Sequence, residues 1–284
     1  KFDGDFGKLS RVDLRTGDRQ WVTREIENDV DGWSIARTGK RIAVLANVAG
    51  KTQLKLYDTD LNPLPVPALP PGLISSASWH PNGRDLALAI ESAESPGEVF
   101  SLDAETGNVS RWTQHAAVNG VKRPFSEAEP IAWKSFDGLT ITGFIHRPAS
   151  KDFPGKRPVI ISIHGGPEGQ SRPGFRGRSN YWINERGYAV IYPNVRGSAG
   201  FGKRFLEADN ARKREDSVKD IGALLDWIGA QQELDASRVA VMGGSYGGYM
   251  VLAASVMYGN RLAAASNSVG ISHFVSFLEN TETY

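Results

Sequence analysis

Cysteine is absent from the 284 residues, which excludes disulfides, thiolate zinc sites and a cysteine nucleophile. An excess of charge is absent too. The net charge is +1, so no field draws the chain to nucleic acid or to an anionic membrane surface. The one basic cluster, Arg212-Lys213-Arg214, runs straight into Glu215-Asp216 and reads as a solvated helix entry. No apolar run reaches the eighteen or so residues that a membrane-spanning helix needs. Histidine is scarce: five residues (80, 115, 146, 164 and 273) lie scattered, with no His-Glu-x-x-His. A Gly-x-Gly-x-x-Gly dinucleotide loop is also missing. These absences imply no metal, no cofactor, and neither nucleic acid nor membrane as a partner; a homo-oligomer stays open. The chain opens on Lys1-Phe2 with neither an initiator Met nor a signal peptide. It reads as cut at its front, with the compartment undecided between cytoplasm and an exported site.

What is present is an ordinary globular composition, 40% apolar and 23% charged, in a length suited to two domains. Over residues 1–118 a period near 45 residues is visible. Asp13-Leu14-Arg15-Thr16-Gly17 recurs as Asp103-Ala104-Glu105-Thr106-Gly107, two periods later. Thr38-Gly39-Lys40-Arg41 is matched by Asn82-Gly83-Arg84-Asp85 one period later. Short alternating runs such as Gln53 to Tyr57 fall between these turns. Several short strands in a repeat of this length suggest a β-propeller blade, and two to two and a half blades fit. Leu61 to Gly72, rich in proline, reads as a loop between blades.

Residues 119–130 are polar and read as a linker. From 131 the pattern changes to alternating strands and helices, which implies a mostly parallel sheet. Ile131–Lys134 and Thr140–His146 form a hairpin around Asp137-Gly138. Val159 to Ile163 reads as a strand buried on both faces, and Val239 to Met242 as a buried parallel strand. Ala189 to Tyr192 and Leu262 to Ala265 add further strands, and Arg178 to Arg186 reads as helical. The clearest helix is 216–231. Val218, Ile221, Leu224, Leu225 and Ile228 share one face, and Asp216 and Asp220 lie in the N-terminal turns that favour acids.

The stretch that organises the chain is Gly243-Gly244-Ser245-Tyr246-Gly247, between the strand at Val239 and the apolar segment from Tyr249. Gly-x-Ser-x-Gly in a strand–turn–helix setting lifts a serine out of the backbone as a nucleophile, and glycines let strand and helix approach. The bare pattern is weak, since composition alone gives roughly 0.3 chance matches. A second loop supplies the context. His164-Gly165-Gly166-Pro167 directly follows the strand at Val159, where an α/β-hydrolase places one amide of its oxyanion hole. The other amide belongs to the residue after the nucleophile, here Tyr246. The fold class expected is an α/β-hydrolase preceded by part of a β-propeller.

Gly243–Tyr249, His164–Pro167, the run Asn194-Val195-Arg196-Gly197-Ser198-Ala199-Gly200-Phe201-Gly202 and the helix start Glu215–Asp220 together resemble the prolyl oligopeptidase family of serine peptidases. The His-Gly-Gly-Pro form is closer to its acylaminoacyl-peptidase and dipeptidyl-peptidase-like branches. The resemblance implies hydrolysis of short peptides through an acyl-enzyme on Ser245. His164 stands about where other branches place a tyrosine whose hydroxyl helps hold the oxyanion, so the implied donor here is an amide of Gly165 or Gly166. The resemblance also places 268–280 at the pocket for the side chain before the cleaved bond, with Phe274 and Phe277 as apolar lining.

The fold's triad order is Ser, then Asp or Glu, then His. No Asp follows Ser245, and the one later histidine, His273, precedes Glu279 and Glu282. His273 is therefore not taken as the base. The triad Asp and His are expected beyond residue 284, in a longer protein whose hydrolase part here spans 131–284. An α/β-hydrolase esterase and a catalytically dead scaffold are the alternative readings.

Overall fold

The computed structural model describes residues 4–115, 121 and 124–281. It divides into two compact units: Lys1–Val121 with Arg172–Gly177 and Gly200–Arg204, and Lys122–Ser171 with Arg178–Ala199 and Phe205–Tyr284. Residues 119, 120, 122 and 123 of the predicted linker at 119–130, and Glu282, lie outside the described residues.

The first unit is built from antiparallel strands. Ser10–Val12 (β1) and Arg19–Trp21 (β2) form a ribbon. Asp29–Ile35 (β3), Arg41–Val48 (β4), Lys51–Asp58 (β5) and Pro63–Leu64 (β6) form one four-stranded sheet in sequence order. Leu73–Trp79 (β7), Asp85–Glu91 (β8), Glu98–Asp103 (β9) and Val109–Arg111 (β10) form a second, connected in the same way. The sequence repeat is a repeat of turns. Asp13 Oδ1 accepts the amides of Arg15 and Thr16 at 2.8 and 3.2 Å, and Asp103 Oδ1 those of Glu105 and Thr106 at 2.9 and 3.2 Å. Gly17 and Gly107 close the two turns at φ 80° and 77°, a region glycine enters without steric cost. Leu45, Leu54 and Leu56 of one sheet and Trp79, Leu86, Leu88 and Leu102 of the other share a single core. The loop at 61–72 contributes only the two-residue β6.

The second unit is organised on a six-stranded sheet in the order β11-β12-β14-β13-β15-β16. Its strands are Glu129–Lys134 (β11), Thr140–His146 (β12), Arg157–Ile163 (β13), Ala189–Asn194 (β14), Leu234–Gly244 (β15) and Ala264–Ser268 (β16). The first two are antiparallel; β14, β13, β15 and β16 run parallel. The helices are Lys203–Leu206 (α1), Asp216–Ala230 (α2), Tyr246–Tyr258 (α3) and Phe274–Glu279 (α4). Strand alternation assigns the faces. Val159, Ile161 and Ile163 of β13 join Val239 and Val241 of β15 under α2 and α3, and Ile160 faces the opposite cluster with Ile183 and Val190. All five apolar positions predicted for the 216–231 helix are buried in α2. No helix among the described residues is long and apolar enough to cross a membrane.

The helix expected at 178–186 is present over 179–185, its last five residues, Tyr181–Glu185, in π-helical form. Two expectations are corrected. The run Val239–Met242 is parallel as expected but not buried throughout, since Met242 is 38% exposed. The strand read at 262–265 runs over Ala264–Ser268 with every residue exposed; its pairing to Ala240–Gly244 makes it a strand, not its own hydrophobicity.

Candidate active site

Ser245 joins β15 to α3 at φ 55°, ψ −122°, a conformation that non-glycine residues adopt only under constraint. Its neighbours show what imposes it. A Cβ on Gly243 would stand 2.5 Å from the Gly247 carbonyl oxygen, and one on Gly247 would stand 2.3 Å from that of Ile163. Strand end and helix start thus approach to a distance only glycine allows. The Ser245 amide donates to the Ser268 carbonyl at 3.0 Å, and its own carbonyl accepts from the Tyr249 amide at 3.1 Å. The side chain itself is exposed.

The loop after β13 meets this elbow because β13 and β15 pair directly, Ile163 opposite Gly243. Gly165 lies against Ser245: a Cβ placed on it would be 3.9 Å from Ser245 Oγ. Gly166 follows at φ 133°, where a Cβ would strike the Glu168 and Gly169 amide nitrogens at 2.5 and 2.4 Å. His164 turns away from the serine. Its Nδ1 lies 2.8 Å from the Gly165 carbonyl and its Nε2 3.0 Å from Ser198 Oγ. Burial pushes its pKa down, and the Ser198 hydroxyl that faces Nε2 itself donates to the Val195 carbonyl at 2.6 Å. The imidazole ties the loop to residues after β14 and is not available as a base. The loop's far end is held too: the Asn194 side chain accepts the Ser171 amide at 2.6 Å and donates to its carbonyl at 3.0 Å.

Arg196 fixes the segment after β14. Its guanidinium bonds buried Asp220 on α2 at 2.9–3.1 Å and Asp137 in the hairpin turn at 2.8–3.0 Å. Ser135 Oγ adds a bond to Asp220 at 2.6 Å, and the Trp133 indole donates to the Asp220 carbonyl at 3.1 Å. Burial works against the Arg196 charge, but the bonds to the two carboxylates prevail and hold its pKa above the ordinary value. Asp220, near the N-terminus of α2, is therefore a buried ion-pair partner. Arg214 departs from the solvated reading. It pairs at 2.5 Å with Asp209, a fully buried carboxylate.

Tyr246, as the first residue of α3, has a backbone N–H without an intrahelical acceptor. Phe274 on α4 packs edge-on to Tyr249 with ring centroids 4.8 Å apart, whereas Phe277 is 45% exposed. His273 caps α4, its Nδ1 accepting from the Ser276 amide at 3.2 Å. Among the described residues no cluster of histidine and acids could hold a metal. The structure thus brings Ser245, Gly165 and the Tyr246 backbone into one place. Asp209, Ser217 and Ser198 are given no role by the sequence; buried polar partners carry no local pattern.

Residues 173–284 match the model described as the prolyl oligopeptidase family. Dipeptidyl aminopeptidase BIII of Pseudoxanthomonas mexicana is 29% identical over 97% of this chain and 41% of its own length. An uncharacterised peptidase of Bacillus subtilis (strain 168) is 31% identical over 72% of this chain and 31% of its own. The chain therefore spans well under half the length of these curated relatives. Among solved structures, a chain from a study of two prolyl endopeptidases superposes with TM-score 0.75 at 27% identity, covering 96% of this chain and 39% of that one. A Mycobacterium tuberculosis puromycin-hydrolysing peptidase gives TM-score 0.82 at 24% identity over 98% and 44%, a likeness of fold. These structural relatives carry an α/β-hydrolase catalytic domain and a propeller, and the two units share that fold.

Proposed function

The chain belongs to the prolyl oligopeptidase family, and from that premise we propose that the protein containing it is a serine peptidase acting on short peptides. One observation carries the reading: an exposed serine at a strained elbow, with a glycine loop packed beside its oxygen. In the proposed reaction a general base takes the Ser245 hydroxyl proton and Oγ attacks the peptide carbonyl. The oxyanion accepts hydrogen bonds from the Tyr246 amide and an amide of Gly165 or Gly166. Collapse expels the amine with the base's proton and leaves an acyl-enzyme, which water hydrolyses. The base and its orienting acid are assigned to polypeptide beyond residue 284. Phe274 and Phe277 are kept as the apolar lining for the residue before the cleaved bond. Residues 1–118 are assigned to the propeller, 119–130 to a linker and 131–284 to the hydrolase.

The test compares aminoacyl p-nitroanilides with p-nitrophenyl esters, using the full-length protein and its Ser245→Ala variant. Anilide cleavage lost with Ser245→Ala supports the reading. Cleavage of esters alone would make the protein an esterase, and no Ser245-dependent turnover of either would make it a scaffold.

A further inference from the structure

A strained elbow persists only where its surroundings over-determine it, and a polar clamp lies on the residue next to Ser245. The Tyr246 side chain is 2% exposed. Its hydroxyl lies 2.9 Å from Asp209 Oδ2, 2.9 Å from Ser217 Oγ and 3.4 Å from Arg214 Nη1. The single Tyr246 hydroxyl proton goes to Asp209, while the Ser217 hydroxyl lies within reach of both the Tyr246 oxygen and the Arg214 carbonyl, at 2.9 and 2.7 Å. Arg214 also covers the Tyr246 ring, its guanidinium carbon 5.2 Å from the centroid. Asp209 is fully buried, and its Oδ1 has no hydrogen-bond partner among the described residues. Burying a carboxylate with one oxygen unpaired is unfavourable for stability, and an apolar filling would avoid it. Nothing in the chemistry proposed above uses these four side chains.

What they share is Tyr246, whose backbone N–H is the proposed oxyanion donor. Rotation of the peptide between Ser245 and Tyr246 would shift the serine's ψ out of its constrained φ 55°, ψ −122° combination and turn that N–H away from the reacting oxygen. A ring fixed at its far end resists the rotation. We propose that Asp209, supported by Arg214 and Ser217, is a positioning residue: it anchors the Tyr246 hydroxyl and so keeps the adjacent amide aimed into the oxyanion hole. The inference rests on the serine-peptidase reading.

The experiment measures kcat and KM on an aminoacyl p-nitroanilide, with the Tm of each variant, in the full-length protein. Tyr246→Phe keeps the ring and its packing but removes the anchored hydroxyl; Asp209→Asn keeps the shape and removes the charge. Each is expected to lower kcat about tenfold with KM within twofold, as loss of aim at an oxyanion donor requires. Ser217→Ala, which leaves the Asp209 bond in place, is expected to give a smaller fall and decides the matter should Tyr246→Phe not fold. A lower Tm with kcat within twofold of wild type overturns the clamp alone. A wild-type protein unreactive toward a fluorophosphonate overturns the peptidase reading and the clamp with it.

Discussion

Gly165 is packed against Ser245: a methyl on it would meet the serine Cβ at 3.4 Å, the serine Oγ at 3.9 Å and the Gly244 carbonyl at 3.3 Å. The two loops are far apart in sequence and meet because their parent strands are hydrogen-bonded neighbours. Space beside the oxygen is thus reserved by the lack of a side chain. Gly165→Val is expected to slow fluorophosphonate labelling of the full-length protein at least about tenfold, since displacements near 1 Å cost up to about a hundredfold. Its Tm should move by only a few degrees. Labelling at the wild-type rate would show that the space is not used.

Gly247→Ala tests the packing of the elbow itself. The added methyl would lie 2.3 Å from the Ile163 carbonyl oxygen and 2.8 Å from that of His164, backbone atoms that cannot swing aside. The expected cost is about 1–3 kcal/mol of stability, in the range for overpacking a filled site. A urea midpoint unchanged from wild type would contradict this.

Arg196→Met leaves Asp220 buried without its ion-pair partner. Removing one member of such a pair costs about 3–5 kcal/mol. The double variant Arg196→Met/Asp220→Leu should recover part of that loss. Denaturant titration of the three proteins measures both, and a double variant no more stable than Arg196→Met would contradict the assignment.

Much of this architecture is legible from residue pattern, and what is not has a physical reason. The buried stripe of α2 shows because apolar residues recur with the helical period, and Ser245 with Gly165 shows because glycine spacing reports close backbone approach. Arg214 departs from its solvated reading because a charged residue looks alike in sequence whether it faces water or a buried partner. Arg196 and Asp220 are 24 residues apart, and nothing local links them. The strand β16, Ala-Ala-Ser-Asn-Ser, has little hydrophobicity to announce its bounds; its neighbour β15 sets them.

Asp137 gives a pH dependence of defined sign. Hydrogen bonds from Arg196 hold its pKa at about 2, below the ordinary 3.8. The folded state therefore binds fewer protons than the unfolded one between these values. The stability from this bond is full above about pH 5 and is lost as pH falls toward about 2. Asp137 is 40% exposed, so solvent screens the bond and the effect is modest. The stability difference between wild type and Asp137→Asn should be constant from neutral pH to about pH 5 and shrink below about pH 4. A difference that does not change with pH would contradict the assignment.

Peptide mapping by mass spectrometry after fluorophosphonate treatment tests the central claim most directly. The full-length protein should carry one adduct, on the peptide containing Ser245, and the Ser245→Ala variant should carry none. An adduct on a different serine, or equal labelling of the two proteins, would contradict the account.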